Sequence, residues 1–67
     1  MKVVKVIEVI AASEKSFDDA VQVALNQASK SVKNIKSIYV SEMKAKVTDN
    51  KVTSYGINAK ISFELND

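Results

Sequence analysis

The chain has no cysteine, histidine, proline, tryptophan or arginine, and one glycine among its 67 residues. Each absence closes a class of explanation. Without cysteine there is no disulfide to staple a small core, and without cysteine or histidine an ordinary zinc site cannot form. The same two absences remove a thiolate nucleophile, a His-based triad and a histidine proton switch. Arginine is the side chain that grips guanine and phosphate bidentately. Here the ten cations are all lysines, interleaved with eight carboxylates for a net charge of +2. Nucleic acid is therefore not an expected partner. No stretch approaches the roughly 20 apolar residues of a membrane helix, and Glu8 interrupts the apolar start where a signal peptide would carry none. These exclusions lead to the expectation of a soluble, cytoplasmic, non-enzymatic protein that spans no membrane.

Nothing rich in proline, glycine or serine divides the chain, so residues 1–67 read as one domain. Domains this small bury only about 60% of their unfolded surface and are marginal alone. With disulfides and zinc excluded, self-association is the remaining compensation.

Val3 to Ile10 is dense in β-branched residues and predicts a strand with both faces partly buried, followed by a polar break from Ala11 to Lys15. Ser16 is a helix N-cap candidate, with Asp18 and Asp19 placed where the helix dipole favours negative charge. Phe17, Ala20, Val21, Ala24, Leu25, Ala28 and Val32 recur at helical spacing. Lys30 and Lys33 suit a last turn and Asn34 a C-terminal stop. The pattern predicts a helix from Phe17 to Lys33. From Lys36 the period becomes two, placing Ser37, Tyr39, Ser41, Met43, Ala45 and Val47 on one face and Ile38, Val40, Glu42, Lys44 and Lys46 on the other. Asp49 and Asn50 tolerate the left-handed conformation of a tight hairpin. A return strand then puts Thr53, Tyr55, Ile57, Ala59, Ile61, Phe63 and Leu65 on one face. The expected fold is α+β, a β-α-β-β order with a curled three-stranded antiparallel sheet wrapped around one helix. A helix of about 17 residues spans about 26 Å, whereas strands of about 12 to 14 residues exceed about 40 Å. One helix cannot cover such a sheet, which again predicts an obligate assembly.

The runs Val4-Lys5-Val6-Ile7-Glu8-Val9-Ile10, Ser13-Glu14-Lys15-Ser16-Phe17-Asp18-Asp19-Ala20 and Ala28-Ser29-Lys30-Ser31-Val32-Lys33-Asn34-Ile35, with the Tyr55 to Phe63 strand, resemble the dodecins over nearly the whole chain. Dodecins are small β-α-β-β proteins that assemble as homododecameric shells and bind flavins. The resemblance implies a homododecamer of this chain holding a small-molecule ligand, riboflavin or FMN, for storage or sequestration. It also implies where the ligand would sit. Flavin-binding relatives carry an aromatic residue at the start of the second strand, the position of Ser37, and a glutamine after the tyrosine of the third strand, the position of Gly56. Many carry a basic residue near the flavin phosphate, the position of Lys44. Stacking on an aromatic face contributes about 1–3 kcal/mol per ring. Serine offers no such face and glycine no side-chain hydrogen bond, so the resemblance implies a weakened or altered flavin site. The alternative is a flavin-free shell binding metal ions or another small ligand.

Other candidates have competing readings. Tyr39 is expected in the sheet core beneath the helix, the alternative being a stacking role on the face of Ser37. Tyr55 is expected as a buried strand tyrosine. Gly56 marks either the close approach of a ligand or neighbouring backbone, or a bulge or bend in a strongly curled strand. Glu8, Glu42, Lys44 and Lys46 are expected to form salt bridges between subunits. Left unpaired, the carboxylates would form a symmetric ring for Mg²⁺ or Ca²⁺. Asp18 and Asp19 are expected as surface residues that complement the dipole.

Overall fold

The computed structural model describes residues 2–65. The elements are β1 (Val3–Ser13), α1 (Phe17–Ala28), β2 (Ile35–Thr48) and β3 (Lys51–Leu65). β3 lies in the centre of one antiparallel sheet of order β1-β3-β2. The expected β-α-β-β order and α+β class are the observed ones.

Local signals explain the joins. The Ser16 hydroxyl accepts from the Asp19 amide at 2.9 Å, and its own backbone is extended, as an N-cap requires. Asp18 is exposed, but Asp19 is more than a dipole complement. Its carboxylate accepts from the Ser13 hydroxyl at 2.6 Å, and Ser13 Oγ in turn accepts from the Lys15 amide. That network draws β1 on to Ser13, through the residues expected to form a polar break. Replacing Ser16 with alanine leaves one first-turn amide unpaired, with an expected cost of about 1 kcal/mol. Chemical denaturation of S16A beside the parent measures it, and superimposable curves would show that the cap contributes nothing. The Asp49–Asn50 hairpin is as expected, with φ of 53° and 64°, the pair of positive values that a type I′ turn needs.

The helix is shorter than its apolar period predicts, ending at Ala28 and not Lys33. The Ser29 hydroxyl bonds back to the Asn26 carbonyl, and the amides of Lys30 and Ser31 bond three residues back, to Gln27 and Ala28. Serine hydroxyls compete for helix carbonyls, and the backbone tightens into a turn while Val32 still meets the spacing. Lys30 and Lys33 therefore lie beyond the last helical turn. Asn34 does not stop the helix; at φ 63° it turns the chain into β2.

Ala20, Ala24 and Ala28 form the buried stripe of the helix. Their small side chains let it approach the sheet closely over Ile57, Ala59 and Ile61, with Val9, Ala11, Phe17, Val21, Ile38 and Val40 packed around the cluster. Phe17 meets Tyr55 edge to face, the ring centroids 5.1 Å apart. The twelve-residue helix spans about 18 Å of a molecule 52 Å long. On β1 only the helix-side residues Ile7, Val9 and Ala11 are half-buried. Val4, Val6 and Ile10 are exposed, so the expectation of two partly buried faces does not hold within one chain.

Candidate functional site

Because Ile57, Ala59 and Ile61 lie under the helix, the alternate residues of β3, from Ser54 to Ser62, face the other way. Directly opposed residues of an antiparallel pair share a face, so the register defines this outer surface. Ser37 opposes Ser62, Tyr39 opposes Lys60, Glu42 opposes Asn58, Lys44 opposes Gly56 and Lys46 opposes Ser54. Across β3, Glu8, Ile10 and Ala12 of β1 oppose Lys60, Asn58 and Gly56.

A bulge on β2 creates this arrangement. The register shifts between Val40 and Glu42, where the Ser41 hydroxyl donates to the Asn58 carbonyl at 2.9 Å. The extra residue reverses the alternation. Ser37 and Tyr39 precede the bulge and face outward, while Met43 and Ala45 follow it and share the helix side with Ile57 and Tyr55. The single uninterrupted face expected from Ser37 to Val47 is thereby corrected. So is the expected place of Tyr39. It is Ile38 and Val40 that pack beneath the helix, and Tyr39 is 66% exposed on the outer surface.

All four residues singled out for a ligand, Ser37, Tyr39, Lys44 and Gly56, therefore share one face. They are not equally close. Lys44 and Gly56 are cross-strand partners lining a depression of about 470 Å³, with Ile10 and Ala12 on the β1 side, Lys46 and Ser54 toward the hairpin, and Glu42 and Asn58 at the other end. Tyr39 and Ser37 lie outside it. The six residue steps from Gly56 to Ser62 correspond to about 20 Å of strand, farther than one planar ring system reaches. Ser37 hydrogen-bonds the hydroxyl of Ser62.

Gly56 occupies an ordinary place in the ladder. Its φ is not positive, its register with Ala12 and Lys44 is regular, and the bulges fall elsewhere. A Cβ there would meet the Lys44 carbonyl at 3.5 Å and the Ala11 carbonyl at 4.0 Å, ordinary contacts. A bulge at Gly56 is thereby excluded. What the glycine does is leave the floor of the depression bare. Lys44 and Lys46 supply positive charge at its rim and Glu42 negative charge. Among the described residues the one ion pair is Lys2–Glu64, 3.5 Å long with the glutamate half-buried, and Glu8, Glu42, Lys44, Lys46 and Lys60 have no ionic partner there. No group of three or more acidic side chains gathers among the described residues to hold a metal ion, and no described helix is long and apolar enough to cross a membrane. Asn58 was not anticipated from the sequence. Its one signal was its place two residues from Gly56 on the polar side of β3.

Comparison with known proteins accords with this geometry. The family model for Dodecin matches residues 3–66. No curated protein matches the chain. Among solved structures, a Thermus thermophilus dodecin variant with a tryptophan replaced by phenylalanine is 27% identical, each chain covered in full, with a TM-score of 0.93. Dodecin from Streptomyces davaonensis is 21% identical, with 98% of this chain and 97% of that one covered and a TM-score of 0.91; that likeness is one of fold. A Mycobacterium tuberculosis protein described as a calcium-chelating immunodominant antigen, calcium dodecin with a novel calcium-binding site, is 32% identical. There 96% of this chain and 91% of that one are covered, with a TM-score of 0.81. The Thermus protein possesses a tryptophan to replace, whereas this chain has none.

Proposed function

We propose, from the premise that this chain belongs to the dodecin family, that it is a non-enzymatic homododecamer that binds riboflavin or FMN on the outer sheet face, for storage or sequestration. The observation that carries this reading is the bare, lysine-rimmed depression over Gly56, on the same face as an exposed tyrosine. Apolar walls from Ile10 and Ala12 suit a flat ring, and Lys44 and Lys46 suit a phosphate. Tyr39 offers the ring face that Ser37 lacks. Because Ser37 and Tyr39 lie far along the sheet from Lys44, a ligand touching both regions would bridge two copies of the chain.

The test is a visible spectrum of the purified protein, followed by titrations with FMN and riboflavin read by quenching of flavin fluorescence. FMN is expected to bind more tightly than riboflavin. Lys44→Ala should weaken FMN a few-fold, as loss of an exposed charge contact does, while leaving riboflavin affinity unchanged. A protein that stays colourless and quenches neither compound would overturn the flavin reading. The calcium protein, at 32% identity, motivates one further arm. A rise in melting temperature at micromolar Ca²⁺, reversed by EDTA, would favour a metal-binding shell in which Glu8 or Glu42 is a ligand. Sensitivity to salt without response to Ca²⁺ would favour lysine–carboxylate pairing between subunits.

A further inference from the structure

Charges around the helix are sorted by sign. At its start stand Glu14, Asp18 and Asp19, with Lys15 the one cation among them. From Ala20 to Ser41 the chain carries no carboxylate, and its charged residues there are Lys30, Lys33 and Lys36, just past the helix end. The helix runs back along β1. Ser13 bonds Asp19 at one end of the pair, and toward the other Ile7 shares a groove with Gln27 and Ala28. Lys5, two residues before Ile7 on the same face, adds a cation to that basic end. Glu14, Asp18, Lys5, Lys30 and Lys33 are exposed and have no ionic partner among the described residues. The groove between the two ends holds about 380 Å³, with Ile7, Val9, Val23 and Gln27 in its lining and no charged residue. No residue of β2 or β3 lines it, and β1 pairs with β3 alone, so the groove lies at the open edge of β1.

We infer that this face binds a second copy of the chain about a two-fold axis. A surface with an open strand edge, a neutral apolar groove and opposite charges at its two ends is complementary to itself once turned end for end. That rotation sets β1 antiparallel to β1 of the partner subunit and offers each edge the hydrogen bonds it lacks. It also brings Glu14 and Asp18 of each copy to the lysines that follow the helix of the other, at both ends of the contact. A parallel arrangement would set acid on acid and lysine on lysine, which is costly. Burial of Ile7 and Val23 supplies affinity, and the charges fix the direction. The inference rests on the self-assembly proposed above and adds to it the face that meets and the orientation it takes.

The test is a charge swap in the full chain, read by light scattering and circular dichroism. One variant carries Glu14→Lys with Asp18→Lys, so both ends of its contact are basic. The other carries Lys30→Glu with Lys33→Glu, so both are acidic. Each alone is expected to need about tenfold more protein than the parent to assemble, because like charges then meet at both ends. An equimolar mixture, refolded together if the separate proteins do not fold, should recover the parent's mass and helical signal. In the mixture every basic end finds an acidic one, a rescue that a merely weakened helix cannot give. Variants that assemble as readily as the parent overturn the inference and leave self-assembly standing. Variants that fail alone and fail equally when mixed also overturn it, as the signature of damage within each chain. A parent that is a folded monomer overturns this inference and the assembly reading together.

Discussion

Light scattering at micromolar concentration is expected to find one species near 88 kDa, the mass of twelve copies of a 7.3 kDa chain, and no folded monomer. The warrant is how little a single copy buries. Among the described residues the buried apolar ones are Ala20, Ala24, Ala28, Ala59, Ile57 and Ile61, and four of those six are alanine. Burial contributes about 25 cal/mol per Å² of apolar surface, and an alanine removes little. Meanwhile Ile10 is 81% exposed, and Val4, Val6, Met43, Val47 and Val52 are also left open. Apolar surface on this scale marks an interaction site, and it lies largely where the short helix does not reach. A chain whose fold depends on covering that surface has no stability apart from its concentration. Dilution should therefore lose helical signal and assembly together. A monomer that retains its circular dichroism at micromolar concentration would overturn the prediction.

Replacing Ser37 with tryptophan is expected to strengthen riboflavin binding about 10- to 100-fold, the range that about 1–3 kcal/mol of ring stacking corresponds to. The side chain is exposed on the outer face, and its one described contact is with the Ser62 hydroxyl. An indole there displaces nothing buried and presents a broad face where serine presents none. Paired titrations of the parent and S37W, read by quenching of flavin fluorescence, decide the matter. Equal affinity would mean that position 37 does not border the ligand. The flavin would then rest on Tyr39 alone, or elsewhere.

Ligand-facing residues were legible to different degrees. Lys44 and Gly56 were picked out through the family resemblance, and the sheet register sets them directly opposite each other. Tyr39 was expected in the core because strict alternation put it with Met43. It lies outside because Ser41 is an extra residue in β2. Such a bulge depends on how β2 pairs with β3, and nothing in the local pattern of β2 records it. Asn58 was passed over for a related reason. An asparagine on a polar strand face is unremarkable until the residues beside it are known to be an isoleucine and a glutamate that cannot donate to it.

By itself the sequence determined whatever depends on neighbours along the chain: the element order, the Ser16 cap, the Asp49–Asn50 hairpin and the helix-side alternation of β3. Caps and turns follow from the chemistry of one or two side chains, and a strand's faces follow from a period of two. Tertiary structure alone decided where the helix gives way to a turn after Ala28, which side of the sheet Tyr39 takes, and that the side-chain oxygen of Asn58 is buried with no partner among the described residues. The first reflects competition among helix hydrogen bonds, serine hydroxyls and the chain's return toward β2. The other two reflect pairing between strands and the single helix available to cover one face. Those are relations among residues distant in sequence, and they acquire a physical value only when the chain has closed on itself.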